Sequence, residues 1–525
     1  MASDTLSVPA PPPEPAGPAV GLLSGDAASD ATRLLCAGTY LDPVYRATVI
    51  RELLTHRFRV VAPSYGYDAV PVLGHALAAR RLHRARLIAL GAGACLVFFL
   101  IGVGVLGPFT GTLTLLWLVW ATAYLRRVVT LQTLMTRLRR PDRADGAGAF
   151  TGSYPENPAL TAELVAKIDR EQSADGSLIR YGGYKPFVGA GEPVRRWSTA
   201  ELLVGAPVGV FEQHHAATGT ADGTGARGQE PSRKEVVPFT VEEITAYVAQ
   251  RMTAELRDQA RQTERIDGLA VERSTFTTAV TTRRALWEPA PGQSDGHRDD
   301  VYDSARAYLC VRVGSWNQEL VTTAYVGFDL KGNTLHTEFY SYVLAPIQAG
   351  FHLVDRLPDA LSLGLLGRVA WDTLRSTPEA TVRPLLTRAR VWLPNLMPWQ
   401  WNKTRVHVPQ AADTSEFRLG RYAEAVLNRG ALISIREMAT SSDFHHFFQE
   451  TDTIKYTQIV ERQLLHVIRD FLHEHNVDLA EHEARQTNIL NQDFGHDNTF
   501  GSHSNFGPGK QNNSNSGTQT FHQGA

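Results

Sequence analysis

The sequence predicts an α+β protein: a transmembrane α-helical hairpin near the N-terminus, a mixed α/β cytoplasmic domain with an antiparallel hairpin, a long late helix, and disordered polar tails. Three observations carry that prediction. Two uncharged apolar runs separated by a breaker cluster occupy 87–125. Runs rich in Val, Thr, Tyr and Phe dominate 306–346, as strands do. Residues spaced alternately three and four apart form a stripe through 465–489, as on one face of a helix.

The first run, Leu87 to Leu106, reads LIALGAGACLVFFLIGVGVL without a charge. About twenty helical residues span a bilayer core. Gly107-Pro108-Phe109-Thr110-Gly111 breaks the run. The second run continues from Phe109 to Leu125 with TLTLLWLVWATAYL at its heart; about seventeen residues is the lower limit for a span. Arg80, Arg81, Arg84 and Arg86 precede the hairpin, and Arg126, Arg127, Arg137, Arg139 and Arg140 follow it, while the turn carries no charge. The positive-inside rule therefore predicts a multi-pass cell-membrane protein with both termini in the cytoplasm. A G-x-G-x-x-G match at 102–107 lies inside an apolar span. It lacks the strand-to-helix context that brings backbone amides to a pyrophosphate. Gly91, Gly93, Gly102 and Gly104 instead suit close helix packing.

Before the hairpin, residues 1–30 are rich in Pro, Ala, Gly and Ser. They lack the basic segment of a signal peptide and are expected to be disordered. Residues 31–86 form a small cytoplasmic element. Asp42-Pro43 supplies an N-cap and first position for a helix to about His56. Phe58–Ala62 suggests a strand, and Ala69–Arg86 a helix feeding the first span.

After the hairpin, 126–149 is a juxtamembrane helix and linker. Val128, Leu131, Met135 and Leu138 make one apolar stripe. It suits an interfacial helix or short dimer seam, and equally a helix packed on its own domain. Residues 150–410 are read as the α+β domain. Helices are expected at Leu160–Glu171 and Val241–Arg261, and strands at Leu178–Tyr181, Ala307–Val313, Glu319–Asp329 and Thr334–Ala345. The last two flank a turn at Lys331-Gly332-Asn333. The aromatic and glycine-rich stretch Tyr181–Gly191 reads as a turn between strands, since no P-loop Lys-Ser/Thr follows. His215–Lys234 and Glu288–Asp300 read as surface insertions. Helix is expected from Pro346 to about Arg375. Its apolar part, Leu361–Ala370, is too short to span a bilayer and reads as a core helix. Trp392, Trp399 and Trp401 read as an aromatic cover over the core, in preference to a membrane-interface segment.

The chain has 525 residues and a formal net charge of −2, which argues against a nucleic-acid partner. Its three cysteines, Cys36, Cys95 and Cys310, form neither a disulfide framework nor a C-x-x-C pair and suit a reducing compartment. No Walker A loop, G-x-S-x-G elbow or kinase set is present. The sequence therefore assigns no catalytic residue, cofactor or metal. His466, Asp470 and His473 share a helix face without H-E-x-x-H, and read as a solvated face. Glu319, His336 and Glu338 are the hairpin residues that would line a pocket.

Residues 411–490 are read as helical. Leu465, Ile468, Leu472, His475, Leu479 and His482, continued by Gln486 and Ile489, have heptad spacing and predict a seam with two polar core positions. The alternative is a helix docked on its own domain through its first half. The tail, 491–525, is rich in Asn, Gly, Gln, Ser and His. Phe494, Phe500 and Phe506, each followed by Gly, recur at a period of six, which places them on one face of an extended chain. The asparagines between them suit amide ladders in stacked strands. N-T-F-G-S-H-S-N-F-G resembles the short C-terminal amyloid signalling motifs of bacterial immune and cell-death systems. That resemblance implies like-with-like assembly between a receptor and a membrane-acting effector. By composition alone the tail reads as a disordered polar terminus. The rest of the chain resembles two-span membrane proteins of GC-rich bacteria.

The functional expectation is a non-enzymatic, membrane-anchored scaffold or signalling protein facing the cytoplasm that self-associates as a homo-oligomer. The alternative is a membrane-tethered enzyme or ligand sensor with a pocket in 150–410. A polar-lined cleft favours the second, a flat packed surface the first.

Overall fold

A computed structural model describes residues 26–56, 58–140, 150–173, 178–208, 233–282, 305–358, 360–376, 426–441 and 444–491. Helix α1 (Asp30–Leu41) starts where the Ser29 side chain accepts from the Thr32 amide. Helix α2 (Pro43–Ile50) has Asp42 as N-cap and Pro43 in its first turn, as expected. A π-helical turn, Arg51–Thr55, ends it. Phe58–Ala62 is not a strand. The Val60 amide bonds the Arg429 carbonyl and the Val61 amide bonds the Glu171 carboxylate, so the segment is held by isolated anchors and no ladder forms.

Helix α3 (Ala69–Gly102), capped by Asp68, changes character along its length. Ala69 to Leu77 are buried, whereas Leu87, Ile88, Leu96, Phe98 and Phe99 are exposed. Helix α4 (Pro108–Arg137) returns beside it. Both are long and apolar enough to cross a membrane; only 6% and 11% of their most apolar windows are buried. Exposed Leu and Phe on so long a run are costly in water and stable in lipid. Gly93 and Gly111 let the two helices touch, since a Cβ there would come within 2.5 Å of Leu118 and 2.4 Å of Ile101 respectively. Gly91, Gly102 and Gly104 face open space.

Below the hairpin, α1, α2, the start of α3 and helix α5 (Ala162–Gln172) build one apolar core. Leu134 and Leu138, at the end of α4, are buried in it, as are Phe351, Ile435 and Ala439. Of the predicted stripe, Leu138 thus packs on its own domain and Met135 is buried, while Val128 and Leu131 are half-buried.

A second layer is a six-stranded sheet. Its strands are β1 (Leu178–Tyr181), β2 (Glu192–Leu202), β3 (Leu269–Thr278), β5 (Arg306–Ser315), β6 (Leu320–Lys331) and β7 (Thr334–Leu344). The spatial order is β1-β3-β5-β6-β7-β2, with β1 parallel to β3 and every other pair antiparallel. Strands β4 (Val280–Thr282) and β8 (Val426–Asn428) form a separate pair. One face of the sheet packs under helices α6 (Val241–Thr253) and α7 (Phe447–Glu474). The other face carries an aromatic cluster centred on Phe187, which stacks on Tyr325 at 4.1 Å and meets Phe276, Tyr308, Tyr340 and Tyr342. The Gly-rich turn is therefore a plug in this face.

The late helix departs from expectation. It ends at Glu474, Asn476 is left-handed with φ 60°, and helix α8 (Ala480–Asn491) starts anew. Asn is one of the few residues that take this conformation readily. The predicted seam is thereby split and filled from within the chain. Leu465, Ile468 and Leu472 are buried against the sheet, with Leu479 packed at its edge. His475 lies against Phe239 and Phe471. His482 is buried, with Nδ1 2.9 Å from Glu201 and Nε2 3.1 Å from the Leu465 carbonyl.

The core-helix expectation for Leu361–Ala370 is also corrected. Residues 363–376 are helical, but the helix lies beside α4, where the Trp120 indole donates to the Ala370 carbonyl at 3.2 Å. The expected tryptophan cover at 392–401, the tail phenylalanines Phe494, Phe500 and Phe506, and most of both insertions lie outside the described residues.

Candidate functional site

The sheet has two chemically distinct ends. At the end where β5 begins, β6 finishes and β7 begins lies a polar cleft of about 360 Å³, closed on one side by the first turns of α6. The lining wraps around the end of the sheet, from α6 on one face to the Phe187 face on the other, where it is built across three strands. Gly327 faces Glu338 in the β6–β7 register. A side chain at Gly327 would sit 2.7 Å from the Tyr308 ring, so glycine there lets Tyr308 of β5 lie across β6. The Tyr308 hydroxyl then donates to Glu338 at 2.8 Å. Burial, reinforced by that carboxylate, pushes the Tyr308 phenol well above its ordinary range. The group is a hydrogen-bond donor that keeps its proton at neutral pH. Arg306 reaches Glu338 at 3.4 Å, and His336 Nδ1 lies 3.7 Å from it. At the rim Arg273 pairs with Glu242 at 3.6 Å and Lys331 with Asp329 at 3.0 Å. The lining is thus balanced in charge and rich in both donors and acceptors, which suits a dipolar polar ligand.

At the opposite end, the β5–β6 turn docks onto the helical core. Trp316, Asn317 and Gln318 are all left-handed, with φ 52°, 56° and 69°. Three successive non-glycine residues in that region are strained by about 1–2 kcal/mol each and persist only where neighbours hold them. The neighbours are polar. Asn317 donates to Asp30 at 2.9 Å and Trp316 to Asp452 at 3.0 Å. Asp30 also takes Arg33 at 3.0 Å and Arg140, just beyond α4, at 3.3 Å. Arg33, 1% exposed, grips Asp355 through two bonds of 2.7 and 3.2 Å and donates to the Leu138 carbonyl. Burial alone would raise the Asp30 carboxyl; Arg33 and Asn317 outweigh it and hold it below the ordinary range.

Glu319 follows in the same turn. Burial pushes its carboxyl up to about 7. It lies 3.3 Å from His352 Nε2, whose own basicity is lowered by burial and by nearby His445. Arg436, fully buried, donates to the Tyr65 and Glu319 carbonyls at 2.8 and 2.6 Å, and burial lowers it to about 10.

Of the pocket residues expected from sequence, His336 and Glu338 do meet in the cleft. Glu319 does not: it lies at the far end of β6, in the junction on the hairpin side. His466 approaches Asp470 at 3.6 Å on α7. Among the described residues no group of three His, Cys, Asp or Glu side chains is arranged to hold a metal ion. Sequence reasoning missed Tyr308 and Arg306 in the cleft, and Asp30, Arg33, Asp355 and Arg436 in the junction. The diagonal Tyr308–Gly327–Glu338 follows only once the strand register is known. A buried arginine leaves no periodic trace.

These features define a class: an α+β domain, with a polar cleft at one end of its sheet, docked by the other end onto a helical core that continues into an apolar hairpin. The AbeC-like domain model matches residues 196–510. That is more than half of the chain, and the chain belongs to the AbeC-like domain family. The match begins within β2 and takes in the whole cleft, the β5–β6 turn, Arg436 and the late helices; the hairpin and α1 lie outside it. No curated protein matches the chain, and no solved structure does.

Proposed function

We propose that the chain is a membrane-anchored signalling protein. Its hairpin sits in the cell membrane with both flanks in the cytoplasm, and its AbeC-like domain reports its state to the spans. The observation that carries this reading is the junction. The spans are not tethered through a slack linker: α3 runs unbroken out of the helical core, and α4 ends inside it at Leu138. The strained β5–β6 turn meets Asp30 there, beside Arg33 and Arg140. Strands β5 and β6 run from this junction to the cleft, about 33 Å for ten residues. A rearrangement at either end has a packed route to the other. The arginines on both flanks and none in the turn support the orientation.

The cleft supports a ligand-sensing form of this protein beside pure scaffolding, because it offers a polar, half-open concavity where a scaffold needs only a surface. Self-association belongs to the same reading. Since the helix seam is filled from within the chain, it falls to the spans and to the tail phenylalanines Phe494, Phe500 and Phe506, in the manner of the amyloid signalling motifs they resemble.

The test perturbs one end and reads the other. Tyr308→Phe with Arg306→Ala, in the full chain in nanodiscs, should change amide exchange at residues 134–140 as well as in the cleft. Change confined to the cleft would refute the coupling. Reporter fusions after Arg140 should behave as cytoplasmic and one at Thr110 as external; the reverse would refute the orientation. Stepwise photobleaching of labelled full-length chains should show more than one copy per particle, and single steps throughout would remove self-association.

A further inference from the structure

We infer that the helix at 363–376 is a lipid-facing interfacial helix, a third membrane contact of this chain; the inference rests on the hairpin lying in a bilayer. Residues 363–376 are the described part of this helix. The helix has three faces. One packs on α4: Ala370 accepts from the Trp120 indole, while Thr373 and Ser376 accept from Arg127 at 3.1 and 2.8 Å. Trp120 and Arg127 are seven residues apart on α4, about 10 Å, and their partners advance in the same direction. Contact with α4 is thus made by residues from Ala370 onward, at the cytoplasmic end of that span, and leaves Leu113, Leu116 and Trp117 of α4 open.

The second face is apolar and uncovered. Leu363, Trp371 and Leu374 are 87%, 66% and 56% exposed. With Gly367 they fall at helical spacing along one side. The third face carries Arg368, Asp372 and Arg375, all exposed. An uncovered apolar face beside a charged one is the pattern of a helix lying in the headgroup boundary. What covers the apolar face is set by its neighbour. It is continuous with the exposed apolar surface of α4, where Leu113, Leu116, Trp117 and Leu125 are open. Indole rings favour the interface, and the two arginines can reach anionic headgroups. The occupant is the acyl and headgroup boundary of the cytoplasmic leaflet.

The test uses the full chain in nanodiscs of phosphatidylcholine and phosphatidylglycerol, with Cys95→Ser removing the exposed thiol; Cys36 and Cys310 are buried. Nitroxide labels are placed at Trp371→Cys, Leu374→Cys and Asp372→Cys. References are Phe98→Cys in the span and Tyr184→Cys in solvent. Positions 371 and 374 should resemble 98, open to oxygen and protected from a water-soluble nickel chelate, while 372 shifts toward the chelate. Positions 371 and 374 matching 184, with 98 still protected, would overturn the inference and leave the hairpin intact. Chelate access at 98 as well would overturn the membrane reading itself. Two labelled positions on the apolar face guard against one variant failing to fold.

Discussion

Arg33→Met is the substitution that most directly tests the junction. The guanidinium is 1% exposed and makes four bonds: one to Asp30, two to Asp355 and one to the Leu138 carbonyl. Methionine fills much of the stem volume and removes every bond. Asp30, 4% exposed, and Asp355, 21% exposed, then lose their shared counter-charge. Breaking a buried pair in this way costs about 3–5 kcal/mol, against about 0–1 kcal/mol for a surface pair. For a domain of this size that corresponds to a fall in melting temperature of roughly 6–20 °C. Intrinsic tryptophan fluorescence on heating, in matched nanodiscs, reads the shift. The cycle with Asp355→Asn separates charge from packing. Neutralising Asp355 should return at least about 1 kcal/mol in the Arg33→Met background, although it is destabilising alone. Arg33→Lys should fall between, because an ammonium cannot grip both Asp355 oxygens and Asp30 at once. A loss below about 1 kcal/mol for Arg33→Met, with no rescue by Asp355→Asn, would show that the junction is not a buried ionic lock.

Glu319 gives the junction a pH dependence of defined sign. Its folded-state carboxyl titrates near 7 against an ordinary 4.5, so the folded state holds the proton more tightly and its stability contribution falls as pH rises from about 4.5 to about 7. His352, whose basicity is lowered, contributes in the opposite sense. Glu319→Gln isolates the first by flattening the fall in melting temperature over that window; an unchanged pH profile would refute the assignment. His482→Leu should destabilise by roughly 1–3 kcal/mol, because Glu201, 6% exposed, loses its partner. An intermolecular leucine seam would instead gain stability, so thermal melting of the full chain decides between them. A peptide of residues 488–525 should form thioflavin-positive fibrils after a lag at high concentration, and replacing Phe494, Phe500 and Phe506 with Ser should abolish them; a wild-type peptide that stays soluble when seeded would remove the tail from the assembly reading.

The hairpin was legible because an uncharged run of span length is a strong local signal, and β6–β7 because Lys331-Gly332-Asn333 separates two alternating runs. Strand β2 was not, since Arg195, Arg196 and Glu201 interrupt its apolar pattern. Two of those charges are satisfied by tertiary partners, Glu461 for Arg195 and His482 for Glu201, which no local window contains. The late helix was misread for a different reason. The spacing of Leu465 to His482 is faithful to a heptad, but the one residue that stops it, Asn476, is a weaker breaker than Gly or Pro. The cleft was half visible: His336 and Glu338 lie on one predicted hairpin, while Tyr308 and Arg306 join them only through the β5–β6 register.

The helical core beneath the hairpin is completed from opposite ends of the chain, which sets the order in which the protein is made. Ile435, Arg436 and Ala439 close that core, yet they are synthesised about three hundred residues after α4. At roughly 5–20 residues per second, the hairpin waits on the order of 15–60 seconds for them. Over that interval Leu134 and Leu138 have no cover from the C-terminal segment, and Arg33 lacks Asp355 until the sheet has emerged. Nascent chains of this protein therefore pass through a state with an open apolar collar, and a ribosome that stops before residue 430 leaves that state as its product.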